Sequence, residues 1–338
     1  HNRLDMINDL SDEGFGYWDK VREIAFIKKH PVGEVLHAEN GQVLYLTDEN
    51  GKPLKDSDGE YIALYHFLKP GEEKHLKAGS DGIRRMFYNG IFNTPDEAAR
   101  NAVQLSGNEH EPLYFTYFPK AEDKIVELGV AFYQKFIEGN SWGLSNSTKK
   151  FQDFIYRYGN TKTRVSAHSR GSMTVGNGLR DFKRRGIHGI AEETDIYLYG
   201  PAYNAQKMAN TIYIVSDGKK DHVYLQNHAF DPIGTGFGRN PPTSYNIPLN
   251  LDASLLKKAI KNPLYMTQFV ANNLLTIVTS PLREQGKALA GFKPSTHNCY
   301  GNASDACVRS YGTLHSIPIY KSDTILDNSG LGYLWRKK

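Results

Sequence analysis

Ser169 stands in Ala167-His168-Ser169-Arg170-Gly171, with a small residue two places before the serine and another two places after it. A serine hydroxyl is a weak nucleophile near neutral pH. It attacks a carbonyl carbon only when an imidazole takes its proton and a carboxylate orients that imidazole. Small neighbours are needed because such a serine sits on a sharp strand-to-helix turn, where chain segments pass closely. The helix that follows aims backbone N–H groups and the positive end of its dipole at a developing oxyanion. Ala167 occupies the place where glycine is usual.

The flanks fit that turn. Phe151, Phe154, Ile155 and Tyr158 recur at helical spacing, and Gly159-Asn160 stops the run. Thr163 to Ala167 is extended in character. Met173, Val175, Leu179 and Phe182 then mark the face of another helix. His168 is expected to point away from the reacting centre, as a packing or hydrogen-bonding group.

In this arrangement the acid and the base follow the serine in that order along the chain. The expected acid is Asp231, which follows a strand and opens the Pro/Gly-rich loop Asp231-Pro232-Ile233-Gly234. Asp217 is the competitor, although Asp217-Gly218-Lys219-Lys220 reads more simply as a hairpin turn. The expected base is His315, just before a short extended run near the end of the chain. His297, beside Cys299, is the alternative. One oxyanion donor would be the N–H of Arg170. The other would come from the backbone at Gly90 and Ile91, where glycine permits close approach of a ligand.

These groups need a scaffold. Arg84 to Tyr88, Leu113 to Phe118, the serine strand, Ile196 to Tyr199, Ile212 to Val215 and Val223 to Leu225 read as strands. Helices are expected between them, one over Ile125 to Ile137 and another starting at Thr94-Pro95-Asp96-Glu97, a capping-box pattern with proline in the first turn. Alternation of this kind predicts an α/β fold, a mainly parallel sheet with helices on both faces. Before it, residues 1–80 read as a β-rich extension with a short helix over Asp19 to Lys29. Its turns include Asp56-Ser57-Asp58-Gly59, which lacks the remainder of a calcium-loop pattern. The core is expected over 81–250 and again from 296 to 338.

Between them, residues 251–295 are expected to form an apolar helical cap or lid. Asn262 to Leu282 holds no charged residue. Met266, Phe269 and Leu274 would line an acyl-chain site there, and Lys257, Lys258 and Lys261 beside it suit an anionic membrane surface.

Composition sets limits. The 338 residues include 41 Lys+Arg and 37 Asp+Glu, a net charge of +4, too balanced to point to nucleic acid. Cys299 and Cys307 are close enough for a short-range disulfide, with two free thiols as the alternative. Neither they nor His297 have zinc-ligand spacing, so no metal is expected. The chain opens on His1, which reads as a fragment or processed product.

With these residues placed, the stretch from Ile83 to Tyr320 resembles the lipase branch of α/β hydrolases. Val165 to Gly171 is similar to their serine motif, Tyr199-Gly200-Pro201-Ala202-Tyr203-Asn204 to the segment after the next strand in class 3 lipases, and Tyr224 to Ile233 to their acid-bearing strand and loop. Asn89 to Ala99 and Trp142 to Thr148 further resemble carboxy-terminal domains of filamentous-haemagglutinin-type exoproteins, including the contact-dependent growth-inhibition class. The resemblance implies a serine hydrolase of lipid esters with no cofactor. It also implies a secreted toxin effector acting in the envelope or cytoplasm of a target cell, guarded by a cognate immunity protein. The rivals are a non-catalytic adhesin or interaction module on the same scaffold and a nuclease effector.

Overall fold

A computed structural model of the chain describes residues 32–90, 94–117, 146–249 and 251–323. The expected helices over Asp19 to Lys29 and Ile125 to Ile137, and the oxyanion residue Ile91, lie outside them.

The described residues build one eight-stranded sheet. Its strands are β1 (Val32–Val35), β2 (Tyr65–Phe67), β3 (Arg84–Tyr88), β4 (Leu113–Thr116), β5 (Thr163–His168), β6 (Thr194–Tyr199), β7 (His222–Gln226) and β8 (Ile317–Tyr320). The order is β2-β1-β4-β3-β5-β6-β7-β8. Strands β3 to β7 run parallel, whereas β1, paired with β2 and β4, and β8, paired with β7, are antiparallel. The fold is therefore α/β with a mixed, mostly parallel sheet.

Side chains alternate across the strands as the pleat requires. Met86 and Tyr88, Val165 and Ala167, Ile196 and Leu198, and Val223 and Leu225 face one core. It is closed by α2 (Asn146–Tyr158), α3 (Gly171–Arg184) and α4 (Ala205–Val215). Phe87, Leu113, Phe115 and Tyr199 face the other, under α1 (Pro95–Leu105) and the buried Tyr300 and Tyr311. Helix α1 begins as its sequence predicts. Thr94 accepts the N–H of Glu97, whose carboxylate reaches back to the Thr94 N–H.

Two readings change. Ile212 to Val215 is the last turn of α4 and not a strand. Its β-branched residues favour extended chain in isolation, but Asn204 caps a helix that starts at Ala205 and runs on through them. The described part of the expected extension, from residue 32, also contributes to the main sheet through β1 and β2. Between them, antiparallel bridges join His37 to Val43, Tyr45 to Ala63, Thr47 to Pro53 and Lys55 to Tyr61. The Asp56 turn is tied to the core through Arg100, 2.7 Å from the Asp56 carboxylate.

Topology marks one place on the sheet. From β3 the chain passes through α1 to β4 on one side, then returns to lay β5 on the other. Connections diverge at the carboxyl ends of β3 and β5 and open a crevice there, where ligands of parallel sheets collect. Asn89-Gly90 and Ser169 lie at those two ends.

Candidate active site

Ser169 is a non-glycine residue with φ of 52°, a left-handed backbone that L-residues adopt only when their surroundings impose it. Its N–H donates to Tyr199 O, and its own carbonyl accepts from Ala202 N and from the Ser172 hydroxyl. Those bonds fasten the turn to β6 and α3. A Cβ on Gly171 would come 2.1 Å from Tyr88 O, so only glycine lets α3 start against β3. Ala167, by contrast, is buried among the core side chains, where its methyl fits. Arg170 is the residue from which α3 starts. Gly90 lies against the serine, for a Cβ there would be 3.1 Å from Ser169 Cβ and 3.6 Å from its Oγ.

The histidine that the structure brings to Ser169 is His297, the alternative, and not the expected His315. His297 Nε2 lies 3.0 Å from Ser169 Oγ, and its Nδ1 lies 2.8 Å and 3.0 Å from the two oxygens of Asp231. His315 is exposed just before β8. That strand is antiparallel at the sheet edge beyond β7, three strands from β5, so the run leading into it does not lie over the serine. Asp217 is also set aside. It follows α4, which runs back from the carboxyl edge of the sheet, and it pairs with His188 at 2.7 Å near the opposite edge.

Asp231 is fully buried and richly bonded. Its Oδ1 accepts the N–H groups of Ile233 (2.8 Å) and Gly234 (3.3 Å), and its Oδ2 accepts the Tyr300 hydroxyl at 2.6 Å. Burial alone would raise its pKa, but His297 and these donors hold it below the ordinary carboxylate value. The carboxylate therefore stays charged, and His297 donates Nδ1–H to it. Nε2 is left facing the Ser169 hydroxyl.

His168, expected to point away from the reacting centre, has a definite task. Its ring packs on that of His297 with centroids 4.6 Å apart, and its Nε2 donates to the His297 carbonyl at 2.7 Å. Burial, then the neighbouring His297, pushes its pKa down to about 3. His168 is thus a neutral wedge fixing the position of the His297 ring. Tyr300 is not among the residues singled out from sequence. Its signal was a tyrosine three residues beyond a histidine, between two cysteines. Those cysteines form the disulfide Cys299–Cys307, which ties the loop carrying His297 and Tyr300 to α7 (Asp305–Tyr311).

The expected cap is a helical hairpin, α5 (Ala253–Lys261) and α6 (Leu264–Leu289). Met266 and Leu274 are exposed on α6, and Phe269 is half-buried. No helix among the described residues is long and apolar enough to cross a membrane. Among them, no cluster of His, Cys, Asp and Glu could hold a metal ion.

Comparison with protein families, characterised proteins and solved structures finds no match to this chain.

Proposed function

We propose that the chain is a serine hydrolase of the α/β-hydrolase type that cleaves carboxylic esters of lipids. One observation carries the reading: a single imidazole joins a serine with left-handed backbone at 3.0 Å to a buried carboxylate at 2.8 Å. Hydrogen-bonded serine, histidine and carboxylate at a carboxyl sheet edge is the arrangement that makes a hydroxyl nucleophilic.

His297 Nε2 takes the Ser169 proton as Oγ bonds to the ester carbonyl carbon. The carbonyl oxygen becomes an oxyanion, and the N–H at the start of α3 stabilises it, with the backbone at Gly90 beside it. As the oxyanion collapses, the bond to the leaving alcohol breaks. His297 hands that alcohol its proton. Water, deprotonated by the same imidazole, then releases the acid. Asp231 holds the ring throughout and stabilises the imidazolium. No cofactor enters these steps.

The choice of lipid esters rests on the hairpin between acid and base, where Met266, Phe269 and Leu274 offer apolar surface for an acyl chain. The Cys299–Cys307 disulfide favours an exported protein, as would suit an effector delivered to another cell. A fluorophosphonate probe should label the wild type and not Ser169→Ala. A panel of short esters, triglyceride, phosphatidylglycerol and phosphatidylethanolamine would then define the substrate. Failure of the probe to label the folded wild type would end the reading.

A further inference from the structure

Helix α6 is built inside out. At 100° per residue, Leu264, Leu275 and Leu282 fall within about 20° of one another around its axis, and Asn273, Ser280 and Glu284 within about 20° of the opposite side. An ordinary surface helix would bury the leucines. Here the polar residues are buried, and the leucines are 83%, 70% and 69% exposed. Each polar residue has a structural task. Asn273 accepts the Asp252 N–H at the start of α5, Ser280 bonds the Thr276 carbonyl, and Glu284 accepts the Tyr311 hydroxyl at 2.6 Å. The polar stripe is the anchor, and the apolar stripe is left to solvent along roughly 39 Å of helix. Ile260 on α5 and Phe292 beyond α6 are exposed as well.

Charge identifies the occupant. From Ala253 to Arg283 the chain carries Lys257, Lys258, Lys261 and Arg283 and no Asp or Glu. The three lysines are exposed on α5, packed beside α6. Leucine-rich surface on α6 beside a helix with three exposed lysines matches an anionic bilayer, where the leucines enter the acyl boundary and the ammonium groups meet phosphate headgroups. Because α6 is not apolar enough to span, it would lie along the surface. The hairpin leaves the sheet between the Asp231 loop and the His297 loop, so a docked bilayer is held at the edge that carries Ser169.

We infer that the α5–α6 hairpin is a docking element for anionic lipid bilayers, which specifies the substrate class of the proposed hydrolase as membrane-resident anionic lipid and rests on that reading for this last step alone.

The test uses the full chain with Ser169→Ala, so that lipid is not consumed, in co-sedimentation with phosphatidylglycerol or phosphatidylcholine vesicles. Binding is expected to be stronger to phosphatidylglycerol and to weaken with salt. Leu264→Gln/Leu275→Gln/Leu282→Gln should lower the partition coefficient roughly a hundredfold or more on both. Lys257→Gln/Lys258→Gln/Lys261→Gln should lower it roughly a hundredfold on phosphatidylglycerol alone, at about fivefold per lysine. Equal binding by the leucine variant and the parent would overturn the inference. So would a parent that ignores vesicles and runs as a dimer that the leucine variant dissociates, because the face would then belong to a second copy. Hydrolysis of a soluble short-chain ester, measured separately on the chain with Ser169 intact, reports on the triad. A chain that docks without hydrolysing sinks the hydrolase reading and leaves the docking element standing.

Discussion

Tyr300 donates its hydroxyl to Asp231 Oδ2 at 2.6 Å and accepts the His228 N–H on the same oxygen at 3.0 Å. The acid that orients His297 is therefore itself oriented by a residue only three positions beyond that histidine. Burial, and then the Asp231 charge, push the tyrosine's pKa well above its ordinary value, so it remains a donor at any working pH.

Tyr300→Phe removes that donor and leaves the ring in place. A lost hydrogen bond to a buried charge is worth about 1.5–3 kcal/mol. We expect kcat on a soluble ester to fall between tenfold and a hundredfold while KM changes little, because the loss falls on the imidazolium state. Matched kcat values for Tyr300→Phe and wild type would show that the hydroxyl does not position Asp231.

Acid should destabilise the fold well before carboxylates protonate. His168 has an ordinary pKa of 6.5 and a folded value of about 3, with burial the leading cause. Below about 6.5 the unfolded chain binds a proton that the folded chain refuses, so stability falls as pH drops toward 3, by up to about 1.4 kcal/mol per unit. His228, also lowered chiefly by burial, adds the same sign. Urea unfolding between pH 7 and 5 should show this slope, and it should be shallower in His168→Asn. An unchanged slope in the variant would remove His168 from the explanation.

Reducing the Cys299–Cys307 bridge frees a loop with a sequence separation of 8 residues, which on loop entropy costs roughly 2–3 kcal/mol. Because that loop carries His297 and Tyr300, Cys299→Ser/Cys307→Ser should lose ester turnover at a lower temperature than it loses its circular-dichroism signal. Coincident loss of both would mean that the bridge serves global stability only.

Gly171→Ala should cost about 2–3 kcal/mol through the clash with Tyr88 O, since backbone on both sides has little room to yield. Gly90→Ala is the milder case, with contacts of 3.1 and 3.6 Å to Ser169. It should spare thermal stability while lowering turnover. Equal melting temperatures for wild type and Gly171→Ala would contradict the packing argument.

The serine turn and its acid could be read from sequence because both are local. A serine between small residues, and an aspartate opening a Pro/Gly loop after a strand, carry their geometry in adjacent positions. The base does not. His297 reaches Ser169 across 128 residues of sequence separation, through a loop whose course is set by a disulfide and by His168. His315, beside a terminal extended run, offered the more familiar local pattern. Ile212 to Val215 misled for a related reason, since a cap at Asn204 outweighed four residues of β propensity. The apolar character of α6 was plain from sequence, but the direction its leucines face was not. That depends on which side Glu284 and Asn273 anchor.

Which histidine serves Ser169 decides the hydrolase reading, and turnover of a soluble short-chain ester by His297→Ala and His315→Ala measures it directly. His297→Ala should lose on the order of a millionfold in kcat, with His315→Ala within about twofold of wild type, as expected for an exposed surface side chain. Full activity in His297→Ala, or collapse of activity in His315→Ala alone, would contradict it.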